Sequence, residues 1–184
     1  MTKVLVPFTT GVEEVELLAI VDILRRADVE VCMASLDGQA VTGRSAVTIV
    51  ADASIIDVLA DVWDMVVLPG GLPNAHLLRD NVAVKALVER LRAERKSIAA
   101  ICAAPTTLAA YGITAGRRVT AHPACQPTME ALQPSSVYVD EAVVEDDFLI
   151  TSRGAGTAID FALRLVARLC SEEKAAAIRT DIVA

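Results

Sequence analysis

The sequence predicts one α/β domain spanning residues 1–184, a flavodoxin-like three-layer sandwich with helices on both faces of a mostly parallel sheet. Three observations predict it. Short apolar runs such as KVLVPF (3–8), DMVVLPGG (64–71) and SIAAIC (97–102) have no polar alternation, the pattern of strands buried on both faces. These runs alternate with stretches of helical periodicity. No linker, repeat or low-complexity tract divides the 184 residues, a length that suits a single well-buried core.

Taken in order, residues 3–8 form the first strand, and Gly11 breaks it. From Glu13 to Arg26, Val15, Leu18, Val21 and Leu24 recur at helical spacing, with Glu13 and Glu14 favourably placed near the positive end of the helix. VEVCMAS (29–35) and AVTIVAD (46–52) are strand candidates, and Ser54 is placed to cap a short helix over 55–60. Residues 64–69 give a strand before the Gly70-Gly71 turn, and 81–96 an amphipathic helix ending in Arg95 and Lys96. Residues 97–101 are the next strand. PTTLAAYG is a short helix closed by Gly112 at C′. RRVTAHP (117–123) reads as a short strand leading to a loop, and 137–152 as two strands around an acidic turn. Helices follow over 157–170 and after Ser171, a candidate cap with Glu172 and Glu173 in the first turn.

Composition narrows the function. The chain is 54% hydrophobic with a net charge of −7 and no basic run, which argues against nucleic acid or an anionic membrane as partner. No apolar stretch reaches the roughly 18 residues of a membrane helix, and no secretory h-region precedes the first strand, so the expectation is a cytoplasmic protein. Four widely spaced cysteines without C-x-x-C, and only two histidines, predict neither a metal site nor a disulfide framework.

In an open α/β sheet, ligands bind beyond the carboxyl ends of the strands. That rule selects Gly11 to Glu16, Gly70-Gly71, Cys102, His122 and Arg153-Gly154. Ala100 and Ala104 flank Cys102 at the offsets where a nucleophile elbow needs small residues, and Pro105 suits the first turn of the following helix. A thiol in that place, before a helix N-terminus, is expected to be acidified. Gly70 and Gly71 offer two unobstructed amides for an oxyanion, although PGG alone is also a plain turn. His122 is either a base or a structural histidine; His76, leading into helix 81–96, reads as a surface or capping residue. Glu16 has Ala19 and Ile20 as its helical neighbours, so a partly buried carboxyl with a raised pKa competes with an ordinary solvated one. RGAGTA (153–158) lacks the third glycine of a dinucleotide fingerprint and reads as a strand-to-helix turn. Cys32 and Cys170 read as buried packing residues. Cys125 is either a resolving thiol or a loop residue.

Together, GVEEVE, VVLPGG, AAICAAP, AHP and TSRGAGTAIDFAL resemble the ThiJ/PfpI superfamily, in the branch of Parkinson disease protein 7 and its bacterial relatives. The resemblance runs in order from the first strand to the final helix. It implies a cofactor-independent homodimer with Cys102 as nucleophile, Glu16 as the protonated acid bonded to its sulfur, and His122 as the nearby imidazole. The amides of Gly70, Gly71 and Ala103 correspond to the oxyanion site. Arg26 matches a position that helps form an anion pocket near the dimer interface. A second interface arginine of some relatives falls at Ser45, beside Arg44. The resemblance further implies chemistry on α-oxoaldehydes such as methylglyoxal, glyoxalase-like or deglycating. Alternatives are a redox sensor or holdase chaperone acting through Cys102 oxidation, and a cysteine peptidase or amidase, against which the missing third triad acid counts.

Overall fold

The computed structural model describes residues 1–184. The chain runs β1 (Lys3–Phe8), α1 (Glu14–Arg26), β2 (Glu30–Ser35), β3 (Ala40–Thr42), β4 (Thr48–Val50), β5 (Ala53–Ser54), α2 (Ile55–Val58), β6 (Met65–Leu68) and α3 (Asn74–Asp80). It continues with α4 (Val82–Ala93), β7 (Ser97–Ile101), α5 (Pro105–Ala110), β8 (Arg118–Val119), α6 (Gln126–Leu132), β9 (Val137–Tyr138), β10 (Val143–Asp146), β11 (Leu149–Ser152), α7 (Ala158–Leu169) and α8 (Glu172–Asp181). Seven strands form the central sheet in the order β10-β11-β7-β6-β1-β2-β5. Only the β10–β11 hairpin at one edge is antiparallel. This is the expected flavodoxin-like architecture.

The unbroken apolar strands bury both faces, and successive residues serve opposite layers. Val4, Val6 and Phe8 of β1 join Met65 and Val67 of β6 against α1, α7 and α8. Leu5, Val66, Leu68, Ile98 and Ala100 face the layer that contains α3, α4, α5 and α6. Phe8 and Phe161 are among the largest side chains with no exposure; truncating either to alanine costs about 3–5 kcal/mol. The register of β6 on β7, Leu68 opposite Ala100, and of β7 on β11, Ile101 opposite Ser152, brings three strand ends level. The site is built on that edge.

Several local readings change. Thr48–Val50 pairs antiparallel with Ala40–Thr42 in a hairpin outside the central sheet, and Ala53–Ser54 supplies the edge strand instead of 46–52. Arg118–Val119 pairs with Val137–Tyr138 in a separate two-stranded sheet, so the strand before His122 is not a central one. Helices α3 and α6 escape the sequence reading because each is only seven residues long and gives little periodicity. Ser54 occupies the N-cap of α2 without a side-chain bond, whereas Ser171 accepts from the Lys174 amide as expected. Gly112 takes φ +71 and closes α5 with the Ile113 amide donating to the Leu108 carbonyl. No helix is long and apolar enough to cross a membrane.

Candidate active site

Cys102 follows the last residue of β7 with φ +64, a left-handed conformation that costs a non-glycine residue about 1–2 kcal/mol. Two backbone bonds fix it there. Its amide donates to the Ser152 carbonyl at 3.0 Å, and its carbonyl accepts from the His122 amide at 2.8 Å. Ala100 and Ala104 are wholly buried beside it, and Pro105 opens α5. The elbow inferred from small residues around the thiol is present. Cys102 itself is 8% exposed, opening on a cleft of about 450 Å³.

Glu16 reaches the same point from the first turn of α1 with no solvent exposure. The Gly70 amide donates to its Oε2 at 2.8 Å, while buried Oε1 has no hydrogen-bond partner. Helical spacing separates the acids of GVEEVE by task. Glu13 and Glu16, three apart, line the cleft, whereas Glu14 turns beneath the β3–β4 hairpin and accepts from the Ser45 amide at 2.7 Å. Position 70 must be glycine for this packing. A Cβ there would stand 2.6 Å from both Cys102 Cβ and Glu16 Oε2.

The Gly70 amide, expected among the oxyanion donors, is bonded to Glu16 Oε2. The amides of Gly71 and Ala103 are the ones directed at the Cys102 sulfur. Gly71 adopts φ +91, where a side chain would run into the Gly11 carbonyl.

Burial is the main cause that pushes the Glu16 carboxyl up to about 7; the Glu13 charge adds to it, and bonding to Cys102 and Gly70 opposes it. Burial likewise leads in pushing the Cys102 thiol up to about 12, followed by the Glu16 charge, against the pull of the Gly71 and Ala103 amides. The pull of the helix-terminus amides on the thiol is thus opposed by burial and by the Glu16 charge. Two anions cannot share this dry corner, so sulfur and carboxyl titrate as a pair that holds one proton above neutrality.

His122 has an exposed side chain, and its Nδ1 accepts from the Ala124 amide at 3.2 Å. With Nδ1 an acceptor, the proton of the neutral ring resides on Nε2. Three groups converge in front of Gly154: a Cβ built there would lie 3.7 Å from His122 Cδ2 and 3.9 Å from both Cys102 Sγ and Glu16 Oε1. Arg44 and Arg153 complete the charged lining, paired with Glu13 at 3.4 Å and with Asp140 respectively. Arg153 belongs to the Arg153-Gly154 segment that the strand-end rule selects and Arg44 stands beside Ser45, but the sequence gives neither a catalytic role.

Other candidates lie elsewhere. Arg26, at the far end of α1, pairs with Asp22 at 2.8 Å and Asp181 at 3.1 Å, outside the cleft. Cys125 is half-buried in the turn before α6 and does not line the cleft. Neither Cys32 nor Cys170 is the buried packing residue expected: Cys32 is half-buried against the core, and Cys170 is exposed at the end of α7. No cluster of His, Cys, Asp and Glu has metal-binding geometry.

A doubly covered α/β sheet with a left-handed cysteine turn at its carboxyl edge, facing a buried glutamate and a histidine, defines a thiol-based site on a flavodoxin-like scaffold. The chain belongs to the DJ-1/PfpI family, whose model matches residues 2–168. It is 40% identical over 171 residues to protein dj-1beta of Drosophila melanogaster, covering 92% of this chain and 90% of that one. Its fold matches the crystal structure of Drosophila melanogaster DJ-1beta with a TM-score of 0.95 at 38% identity, over 99% of this chain and 97% of that chain. It is 35% identical over 162 residues to the glutathione-independent glyoxalase DJR-1.2 of Caenorhabditis elegans, covering 88% of this chain and 85% of that one.

Proposed function

We propose that this protein converts α-oxoaldehydes such as methylglyoxal to α-hydroxy acids without glutathione, with Cys102 as nucleophile. The observation that carries the reading is the pairing of an elbow cysteine with a wholly buried carboxyl whose Oε1 has no partner, at the base of an open cleft. An ionised Glu16 would accept from the Cys102 S–H, an arrangement that the burial of its charge opposes. A protonated one donates to sulfur, and the pair's single proton then rests on Glu16 while Cys102 is a thiolate. The glyoxalase relative supports the substrate class.

In the proposed sequence the thiolate adds to the aldehyde carbon, and the new oxyanion accepts from the Gly71 and Ala103 amides before Glu16 protonates it. Glu16, as carboxylate, then removes the hydrogen from that carbon, and the proton is returned to the adjacent former ketone carbon, with His122 Nε2 serving the oxygens. The resulting thioester is hydrolysed by one water, which releases lactate and regenerates the thiol. The balance is methylglyoxal plus water giving lactate, with no cofactor consumed. Removal of early glycation adducts from proteins would begin with the same attack. Cys102→Ser should abolish lactate formation in glutathione-free assays; equal rates for variant and wild type would reject the mechanism.

A second reading rests on the same sulfur. The Gly71 and Ala103 amides and a protonated Glu16 would hold the oxygens of a sulfinate formed by peroxide, making Cys102 an oxidation sensor. Exposed Val15 and Leu18 on α1, 57% and 46% accessible, support a homodimer through that helix, which light scattering would test. The dimer, with Arg26 near its interface, and a cytoplasmic location belong to this proposal.

A further inference from the structure

Of the 17 lysines and arginines, every one except Arg92 and Arg95 has a carboxylate within 4.0 Å. In a chain of net charge −7, that exception is confined to one place. Both unpaired guanidinium groups line a single cavity of about 260 Å³, together with Arg117, Arg168, Phe148 and Asp147. The four arginines come from three distant parts of the chain: the end of α4 and its following turn, the approach to β8, and the last turn of α7. Asp146, Asp147 and Glu145 offset the charges of Arg117 and Arg168, which leaves those of Arg92 and Arg95 uncompensated.

Half of the cavity is already held in position. Arg117 stacks on the Phe148 ring, 4.3 Å from its centroid, and pairs with Asp146 and Asp147 at 3.3 and 3.1 Å. Arg168 donates to Ser97 Oγ at 3.3 Å and to Glu145 at 3.2 Å. Arg95 stands at φ +57 directly after α4, with its amide bonded to the Arg92 carbonyl and the Lys96 amide to that of Leu91. Glycine is the usual occupant of that position.

We propose that this cavity binds a phosphoryl dianion, as free phosphate or as the phosphate group of a small metabolite. Two unpaired positive charges match one dianion, and four arginines drawn from three parts of the chain can share the three terminal oxygens of a phosphoryl group. The cavity lies at the amino ends of β7 and β11, and Cys102 at their carboxyl ends. A five-residue strand separates them by roughly 17 Å. The site is therefore distinct from the cleft, where Arg44 and Arg153 also carry positive charge.

Isothermal titration of the intact protein with inorganic phosphate, against chloride at matched ionic strength, tests the proposal. Phosphate should bind, and Arg92→Gln/Arg95→Gln should weaken it by roughly tenfold or more. Glycerol 3-phosphate binding as tightly as phosphate would point to a metabolite, and much weaker binding to the free ion. Arg153→Gln should leave the affinity unchanged, because that arginine lies in the other cleft. No heat above the chloride control, or affinity lost in Arg153→Gln and kept in Arg92→Gln/Arg95→Gln, would overturn it.

Discussion

Replacing Glu16 by glutamine should raise stability while it removes activity. The burial that raises the carboxyl from an ordinary 4.5 to about 7 acts only on the folded state. Between those values the folded protein binds more protons than the unfolded one, so wild-type stability falls as pH rises through this window. Below pH 4.5 the group is protonated in both states and contributes no such loss. At roughly 1.4 kcal/mol per pH unit, the gap corresponds to about 3 kcal/mol by the upper end of the window. Glutamine keeps an oxygen for the Gly70 amide and an N–H for sulfur, and it does not titrate. Urea denaturation of both proteins across this range should show Glu16→Gln gaining up to about 3 kcal/mol on wild type between pH 4.5 and 7, then levelling off. Methylglyoxal turnover should fall by about 100-fold or more. A stability difference that does not change with pH would refute the burial argument.

Gly70→Ala should lose about 1–3 kcal/mol in chemical denaturation and most of its turnover, because the added methyl meets Cys102 Cβ and Glu16 Oε2 at 2.6 Å. Burial opposes ionisation of Glu14, but amide donors, including those of Ser45 and Val47, outweigh it and hold its pKa below 4.5. The stability it contributes is present above the ordinary value and lost as pH falls through the depressed one. Glu14→Gln should accordingly flatten the acid limb of thermal melts. His122→Gln should slow lactate formation less than Glu16→Gln does, and steady-state assays of the two variants side by side would expose a reversed order.

The sheet was legible because strands buried on both faces have no polar face to confuse their pattern. The cysteine turn was legible for a local reason: an elbow leaves room only for small residues such as Ala100 and Ala104 around Cys102. Glu16 could be separated from Glu14 by its apolar helical neighbours, but not shown to be the more buried of two buried acids. What escaped depends on contacts across the fold. That the Gly70 amide belongs to a carboxylate 54 residues away is invisible in PGG. Burial and the charge of the same distant carboxylate oppose ionisation of the thiol, and helix-terminus reasoning alone sees neither. Residues 46–52 alternate as well in an off-sheet hairpin as in a central strand, and only pairing distinguishes the two.

In the proposed mechanism Cys102 and Glu16 share one proton at neutral pH, with the thiolate on sulfur. Iodoacetamide alkylation of Cys102 as a function of pH, followed by peptide mass spectrometry in the wild type, tests it most directly. Reactivity should rise as the pair loses its first proton at about pH 7 and then reach a plateau. Reactivity that stays negligible through neutrality and climbs only toward pH 12 would place the remaining proton on sulfur and contradict it.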